Sequence, residues 1–318
     1  MIVKKRIFPL RIQINDAVLR RLPPIHSKRN EVLQDQMKAW AGHKGEEALD
    51  YYTSLIHEEQ FHIFQGIRLS SGSNHFQIDS LLLSPAFALI IESKNMAGTL
   101  TFNSPFNQLD RSLNDKTDTF EDPLLQAKRH RLLLQKWLQT NHFPRIPIEY
   151  LVFSSNPSTA LRNPHNDPEV YNRVCPPGKI IFKIEDFLSK YKREVLSVKE
   201  HKKLSKVLLR SDEPSPSHLH QFKITSEDFL TGVQCPSCSM YAMERYAGTW
   251  NCIHCGAVAK DAHKQAIEDY FLIISPTITN KQFRHFIHLD SPKLSTKLLS
   301  KMDLKPHGTT KGIYYTTI

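Results

Sequence analysis

Asp79 is followed, after twelve intervening residues, by Glu92-Ser93-Lys94, and each acid stands at the polar end of a strongly apolar stretch. Ile78 to Leu83 and Ala88 to Ser93 are rich in aliphatic residues, and Ser84-Pro85-Ala86-Phe87 between them carries a turn signal. The pattern predicts a β-hairpin with a four-residue loop. Leu83 then lies opposite Ala88, and counting outward along the ladder brings Asp79 opposite Glu92. Side chains alternate along a strand with period two, so Lys94 shares the face of Glu92, one step beyond it. Like charges facing each other across a hairpin destabilise it unless something compensates them. A divalent cation would do so.

Carboxylate oxygens suit Mg²⁺ or Mn²⁺, hard ions that polarise a phosphate and lower the pKa of an attacking water. Asp79 and Glu92 are the expected ligands. The Lys94 ammonium beside them can orient the water and offset charge on phosphoryl oxygens. Phosphodiester hydrolysis is the chemistry that needs this set. An isolated D-x12-E-x-K string also fits a surface hairpin with ordinary charged ends, because short patterns recur by chance.

The surroundings narrow the choice. Gly42-His43-Lys44-Gly45-Glu46-Glu47 opens a helix-like stretch, the hairpin follows, Lys94-Asn95 and Gly98-Thr99-Leu100 come next, and Asp122-Pro123-Leu124-Leu125-Gln126 begins another helix. Over about residues 40 to 190 this order resembles the nuclease-related domain (NERD) family of the PD-(D/E)XK nuclease superfamily. The motifs carrying the resemblance are Gly45-Glu46, Gln77-Ile78-Asp79, Ile91-Glu92-Ser93-Lys94-Asn95 and Pro123-x-x-Gln126. It implies an active-site set of Glu46, Asp79, Glu92, Lys94 and Gln126. Ser93, where an apolar residue is commoner, and the lack of a Trp around Asn107-Gln108-Leu109 are departures that bear on packing and remove no charged group. Read from the residues alone, Glu46 is either a second metal ligand, a helix-borne group holding Lys94, or an acid favoured near a helix start. Gln126 serves substrate phosphate or a ligand carboxylate, or is merely solvated.

Charge points to a polyanionic partner. The 318 residues hold 42 Lys plus Arg against 32 Asp plus Glu, a formal balance of +10. Residues 1–30 carry eight of the basic residues (Lys4, Lys5, Arg6, Arg11, Arg20, Arg21, Lys28, Arg29) against Asp16 alone. A second run spans Lys199 to Arg210, and Lys128-Arg129-His130-Arg131 follows Gln126, which makes Lys128, Arg129 and Arg131 candidate phosphate contacts. Each run by itself also reads as a solvated face. No apolar run approaches the roughly 18 residues that span a bilayer, and Met1 to Leu10 has no apolar core of signal-peptide length. The expected location is cytoplasmic, with no membrane association.

Cys235-Pro236-Ser237-Cys238 and Cys252-Ile253-His254-Cys255 form C-x2-C-x13-C-x2-C, with Met240 to Trp250 long enough for a hairpin between two knuckles. Four thiolates suit tetrahedral Zn²⁺, and so short a segment with few aliphatic residues needs a metal to hold its fold. Cys235, Cys238, Cys252 and Cys255 are the expected zinc ligands, and His254 faces outward. A pair of disulfides or free thiols is the alternative, the former disfavoured because no secretion signal provides an oxidising compartment. Cys175 reads as an ordinary thiol in a loop.

Toward the C-terminus, Asp261 to Ile274, Asn280 to Ile287 and Pro292 to Met302 read as helices, the last capped by Ser291 with Pro at its first turn. Leu294, Leu298, Leu299 and Met302 form its inward stripe, and Lys293, Lys297 and Lys301 recur on another face. With Gly312 to Thr316 as a strand, the segment resembles a winged helix-turn-helix domain, which implies nucleic-acid contacts at those three lysines. Packing against the ribbon explains the apolar stripe equally well.

The expected fold is α/β, a restriction-endonuclease-like mixed sheet flanked by helices, plus a zinc ribbon and a small helical module. Its parts are a basic N-terminal arm (1–36), a nuclease-related domain (37–205), a linker (206–231), the ribbon (232–258) and a helical, winged-helix-like domain (259–318). Glu149 to Ser154 and Lys179 to Lys183 read as further strands and Asp186 to Lys192 as a helix. The expected function is metal-dependent cleavage of nucleic acid, DNA foremost. Its rivals are a non-catalytic nucleic-acid-binding adaptor and a protein-interaction scaffold built on the ribbon.

Overall fold

The computed structural model describes residues 1–57, 59–309 and 312–317. It opens with β1 (Ile2–Lys4), α1 (Leu10–Arg21) and α2 (Arg29–Ser54), then β2 (His62–Ser71), β3 (Asn74–Leu83) and β4 (Ala88–Lys94). A meander follows of β5 (Thr99–Asn103), β6 (Gln108–Leu113) and β7 (Lys116–Glu121). Next come α3 (Pro123–Thr140), β8 (Ile148–Ser154), β9 (Ala160–Arg162), α4 (Pro168–Arg173), β10 (Val174–Cys175), α5 (Ile180–Lys190) and α6 (Val198–Arg210). The remainder is β11 (Met243–Tyr246), β12 (Thr249–Cys252), β13 (Val258–Ala259), α7 (His263–Ile273), β14 (Ile278–Thr279), α8 (Asn280–Ile287), α9 (Pro292–Leu299), β15 (Leu304–His307) and β16 (Tyr314–Thr317).

Two compact units result, one of Met1–Phe8 with Lys38–Pro216 and the other of Pro9–Met37 with Ser217–Ile318. The first is built on a mixed sheet of order β1-β2-β3-β4-β8-β10. Strands β2, β3 and β4 run antiparallel, while β8 is parallel to β4 and β1 is parallel to β2. Both faces are covered. Leu81, Leu83, Ala88 and Ile90 pack against α3 and α6 on one side, and Leu82, Leu89, Ile91 and Phe153 pack against α2 and α5 on the other. Burial from two sides explains why β8 is buried at every position instead of alternating.

The β3–β4 register pairs Leu83 with Ala88 and continues to Ser80 with Ile91, the register of the hairpin reading up to one step short of Asp79 and Glu92. The Ser84 hydroxyl accepts hydrogen bonds from the backbone N–H groups of Ala86 and Phe87, closing the loop. α3 starts where the sequence places it, with Asp122 as N-cap accepting from the Leu124 N–H and Pro123 in the first turn.

Several expectations change. Lys179 to Lys183 is not a strand: α5 begins at Ile180, and Ile180, Ile184 and Phe187 recur at the spacing of one helical face, which the short Ile-Ile-Phe run concealed. The helix read over Asp186 to Lys192 is the second half of α5. Cys175 lies in β10 rather than a loop, fully buried beside β8, and burial pushes its thiol up to about 12. The helix placed at Gly42 starts thirteen residues earlier, at Arg29. The meander β5–β7, in a second sheet of order β7-β6-β5-β9, has no counterpart among the expected strands. Its tight turn uses Asn114 and Asp115, both in the left-handed region (φ 51° and 60°), a type of hairpin signal that a mostly polar segment hides.

Residues 1–36, read as a basic arm, are built into the two units. Arg11 pairs with Asp35, Arg20 and Arg21 both pair with Asp269, and Lys28 pairs with Glu31. In the second unit the ribbon strands and the C-terminal helices share one apolar core around Trp250, Tyr270, Phe283, Ile287 and Leu299. Leu298 and Leu299 point inward, Leu294 and Met302 pack against that core, and Lys293, Lys297 and Lys301 are exposed. Elements α7, β14, α8, α9, β15 and β16 follow one another, with β14-β16-β15 as the small sheet.

Candidate active site

Three elements of the first unit converge at one end of β3 and β4. Glu92 is almost fully buried near the end of β4, at 2 % exposure. Lys94, two residues on, donates to Glu92 Oε1 at 3.3 Å and to Gln126 Oε1 at 2.8 Å. The Gln126 amide nitrogen donates to the same Glu92 oxygen. Gln126 therefore bridges the lysine and the carboxylate, which fits the ligand-carboxylate alternative read from its sequence position. One helical turn later, His130 brings Nδ1 within 3.3 Å of Glu92 Oε2, yet neither atom makes a hydrogen bond. The Glu92 Oε2 lone pairs are left without a donor in a buried place, an arrangement that normally has an explanation in an ion or a water.

Asp79 presents Oδ2 to the Ser93 backbone N–H at 2.9 Å. Burial, with the nearby charges of Glu92 and Glu46, pushes its carboxyl well above the usual carboxylate range. Like-charge crowding of this kind is what a bound cation relieves. The hard oxygen donors of Asp79 and Glu92, together with the orphaned Glu92 oxygen, fit a Mg²⁺ or Mn²⁺ ion, which keeps several waters and needs only one or two protein carboxylates.

Glu46 projects from α2 toward the same place, but its Oε2 accepts from Arg6 Nη1 at 2.6 Å rather than meeting Lys94. Arg6 also grips Asp50 through Nε and Nη2, at 2.6 and 2.9 Å, and donates from Nη2 to the Asp79 carbonyl at 2.8 Å. Burial raises the Glu46 carboxyl, while Arg6 and His43 oppose the shift. In the sequence Arg6 reads only as one charge of a basic arm, and Asp50 stands out in no pattern. Neither carries a motif, and only the parallel docking of β1 on β2 brings Arg6 to the acids.

Gly45 explains how α2 comes so close. A Cβ there would stand 2.7 Å from Asn95 Cβ and 2.8 Å from Ser155 Oγ, so only glycine lets the helix backbone rest on the ends of β4 and β8. Ser93, the departure noted in the sequence, has its hydroxyl buried without a partner, 3.2 Å from that same position.

The other basic candidates fare unevenly. Lys128 pairs with Glu169 at 2.6 Å, Arg129 pairs with Glu121, and Arg131 lies 5.2 Å from the centre of the Tyr150 ring. All three lie on α3, and two are already matched by acids.

In the second unit Cys235, Cys238, Cys252 and Cys255 bring their sulfurs within 4.8 Å of one another, a group able to hold a metal ion. Cys235 to Cys255 and Cys238 to Cys252 measure 3.7 Å. That is far beyond a disulfide bond of about 2.05 Å and close to the ~3.8 Å tetrahedron edge implied by zinc–thiolate bonds of ~2.3 Å. The β11–β12 hairpin joins the two knuckles, turning at Ala247 and Gly248, both with positive φ. His254 is exposed and outside the cluster, as expected. Among the described residues this is the one group of three or more metal-ligand side chains so close together.

No helix among the described residues is long and apolar enough to cross a membrane. Residues 41–155 match the model of the nuclease-related domain family, a span that contains Glu46, Asp79, Glu92, Lys94 and Gln126 but not Arg6. No curated protein and no solved structure matches the chain.

Proposed function

We propose that the nuclease-related domain carried on residues 41–155 is a divalent-metal-dependent nuclease that hydrolyses phosphodiester bonds, with DNA as its substrate. The observation that carries this reading is the buried Glu92 carboxylate, one oxygen held by Lys94 and Gln126 and the other unpartnered, next to an Asp79 whose charge is disfavoured by its neighbours. Asp79 and Glu92 hold the Mg²⁺ or Mn²⁺ ion. When bound, that ion supplies Lewis-acid polarisation and a lowered water pKa. Gln126 fixes the Glu92 oxygen and the Lys94 ammonium relative to each other. The ammonium has three N–H donors, two of them directed at Glu92 and Gln126, so the third can orient a water or meet a phosphoryl oxygen. Glu46 acts from the side, through the charge it adds near Asp79.

The preference for DNA rests on the second unit. Lys293, Lys297 and Lys301 are exposed on and just beyond a short helix in winged-helix order. Such a helix fits the wide major groove of B-form DNA and not the deep, narrow one of A-form RNA. The four cysteines hold a structural Zn²⁺, and a cytoplasmic location would keep their thiols reduced for it. The ribbon is also where a protein partner would attach.

Purified, zinc-loaded protein incubated with single- and double-stranded DNA tests the reading. Cutting with Mg²⁺ or Mn²⁺, absent without them and lost in both Asp79→Asn and Lys94→Ala, is expected. Salt-sensitive binding with no cutting in either metal would replace the nuclease by a nucleic-acid-binding adaptor.

A further inference from the structure

We propose that Arg6 is a built-in cation of the acidic site: its guanidinium stands where a second metal ion would otherwise sit among Glu46, Asp50 and the Asp79 carbonyl, so the centre takes one divalent ion rather than two. The inference rests on the nuclease reading and deepens it.

The geometry is specific. All three guanidinium nitrogens are engaged, Nη1 with Glu46, Nε with Asp50, and Nη2 with both Asp50 and the Asp79 carbonyl, at 2.6 to 2.9 Å. The oxygens gathered are two carboxylates and a backbone carbonyl, the donor types that a hard divalent ion takes. The Arg6 side chain is 8 % exposed, and a planar fork of fixed charge fills the position without relying on an ion from solution. The fold makes room for it: Gly66 has φ +67°, and a Cβ there would come within 3.1 Å of Arg6 Nη1. The strand that delivers Arg6 is anchored separately, by Lys4 donating to the carbonyls of Gln65 and Gly66.

Charge balance supports a single ion. Glu46, Asp50, Asp79 and Glu92 offer four carboxylates against two basic side chains, Arg6 and Lys94, which leaves a deficit that one divalent ion offsets. Without Arg6 the deficit grows by one, and Asp50, one of the acids it held, lines a cleft together with Lys5, His43 and Glu47 through which solvent has access. Arg6 touches no reacting atom. It is a positioning residue that sets metal stoichiometry and holds Glu46 away from the metal.

The test counts ions. Zinc-loaded protein is titrated with Mn²⁺ and followed by electron paramagnetic resonance of free Mn²⁺ and by calorimetry, for wild type, Asp79→Asn, Arg6→Met, Arg6→Lys and Glu46→Gln, each checked for its fold by circular dichroism. One Mn²⁺ per wild-type chain, lost in Asp79→Asn, and two per chain in folded Arg6→Met are expected, with Arg6→Lys returning the count to one. Two ions in the wild type, or one in a folded Arg6→Met, would overturn the proposal while leaving the nuclease reading intact. If Arg6→Met fails to fold, Glu46→Gln decides: Mn²⁺ affinity within twofold of wild type is expected, and a tenfold loss would make Glu46 a metal ligand and overturn it. No Mn²⁺ bound by the wild type would instead remove the metal site on which both readings stand.

Discussion

Asp79 carries the clearest pH signature. Its folded-state pKa is raised, by burial first and then by Glu92 and Glu46, so the native fold holds the proton more tightly than the unfolded chain does. Below the unfolded value of about 3.9 the carboxyl is protonated in both states. As pH rises from there through the raised folded value, stability is lost in the metal-free protein. Replacing Asp79 by Asn removes that loss, so urea denaturation of zinc-loaded, Mg²⁺-free protein should find the variant gaining stability over wild type as pH climbs through this window. A constant difference from pH 4 to 8 would show that Asp79 is not in a charge-disfavouring place. Gly45 makes a steric counterpart. Gly→Ala inside a helix usually helps by about 1 kcal/mol, yet here the added Cβ meets Asn95 and Ser155 inside 3 Å. Gly45→Ala should therefore cost about 1–3 kcal/mol and weaken the proposed nuclease activity by moving α2, as thermal denaturation and rate assays would register. Unchanged melting would mean that α2 can retreat freely.

Among the elements, the ribbon depends most on something outside its own sequence. Strands β11, β12 and β13 are two to four residues long, and such short pairs are not stable alone. Trp250 and Met243 do reach the shared core of the second unit, so metal removal should loosen the knuckles more than the helices. Chelation of one Zn²⁺ per chain is expected to expose the Ala247-Gly248 turn to protease while leaving α7 and the sheet of the first unit protected from hydrogen exchange. Full protection of the hairpin after metal removal would show that the apolar core alone suffices. The hairpin β3–β4 is the opposite case: its loop and register follow from alternation and length, and the structure reproduces them from Leu83 with Ala88 to Ser80 with Ile91, one step short of Asp79 and Glu92. α5 shows the limit, because a short run such as Ile180-Ile181-Phe182 is apolar enough for a strand and only its spacing to Ile184 and Phe187 marks a helix.

At the scale of the whole chain, a net charge of +10 says more about solution behaviour than about where a polyanion docks. Many of the basic residues near the N-terminus are matched by Asp35, Glu46, Asp50 and Asp269. The exposed Lys293, Lys297 and Lys301 are the better candidates for binding phosphates. Replacing all three by Ala should lower the slope of log affinity against log salt by roughly 2.7, at ~0.9 for each phosphate that is no longer neutralised. An unchanged slope would move DNA binding elsewhere on the molecule. The sequence by itself determined the chemistry-bearing pairs that are local: Asp79 with Glu92 and Lys94 across one hairpin, Gln126 one turn into a capped helix, and four cysteines in two knuckles. In each case a short stretch of backbone with a fixed period sets the distance. Only the tertiary structure decided where Arg6 goes, that Asp50 joins the site, that Glu46 faces a guanidinium instead of Lys94, and that Gly45 lets two elements touch. Those distances depend on β1 docking on β2 and α2 resting on the sheet, and such packing between elements distant in sequence leaves no periodic trace in the chain.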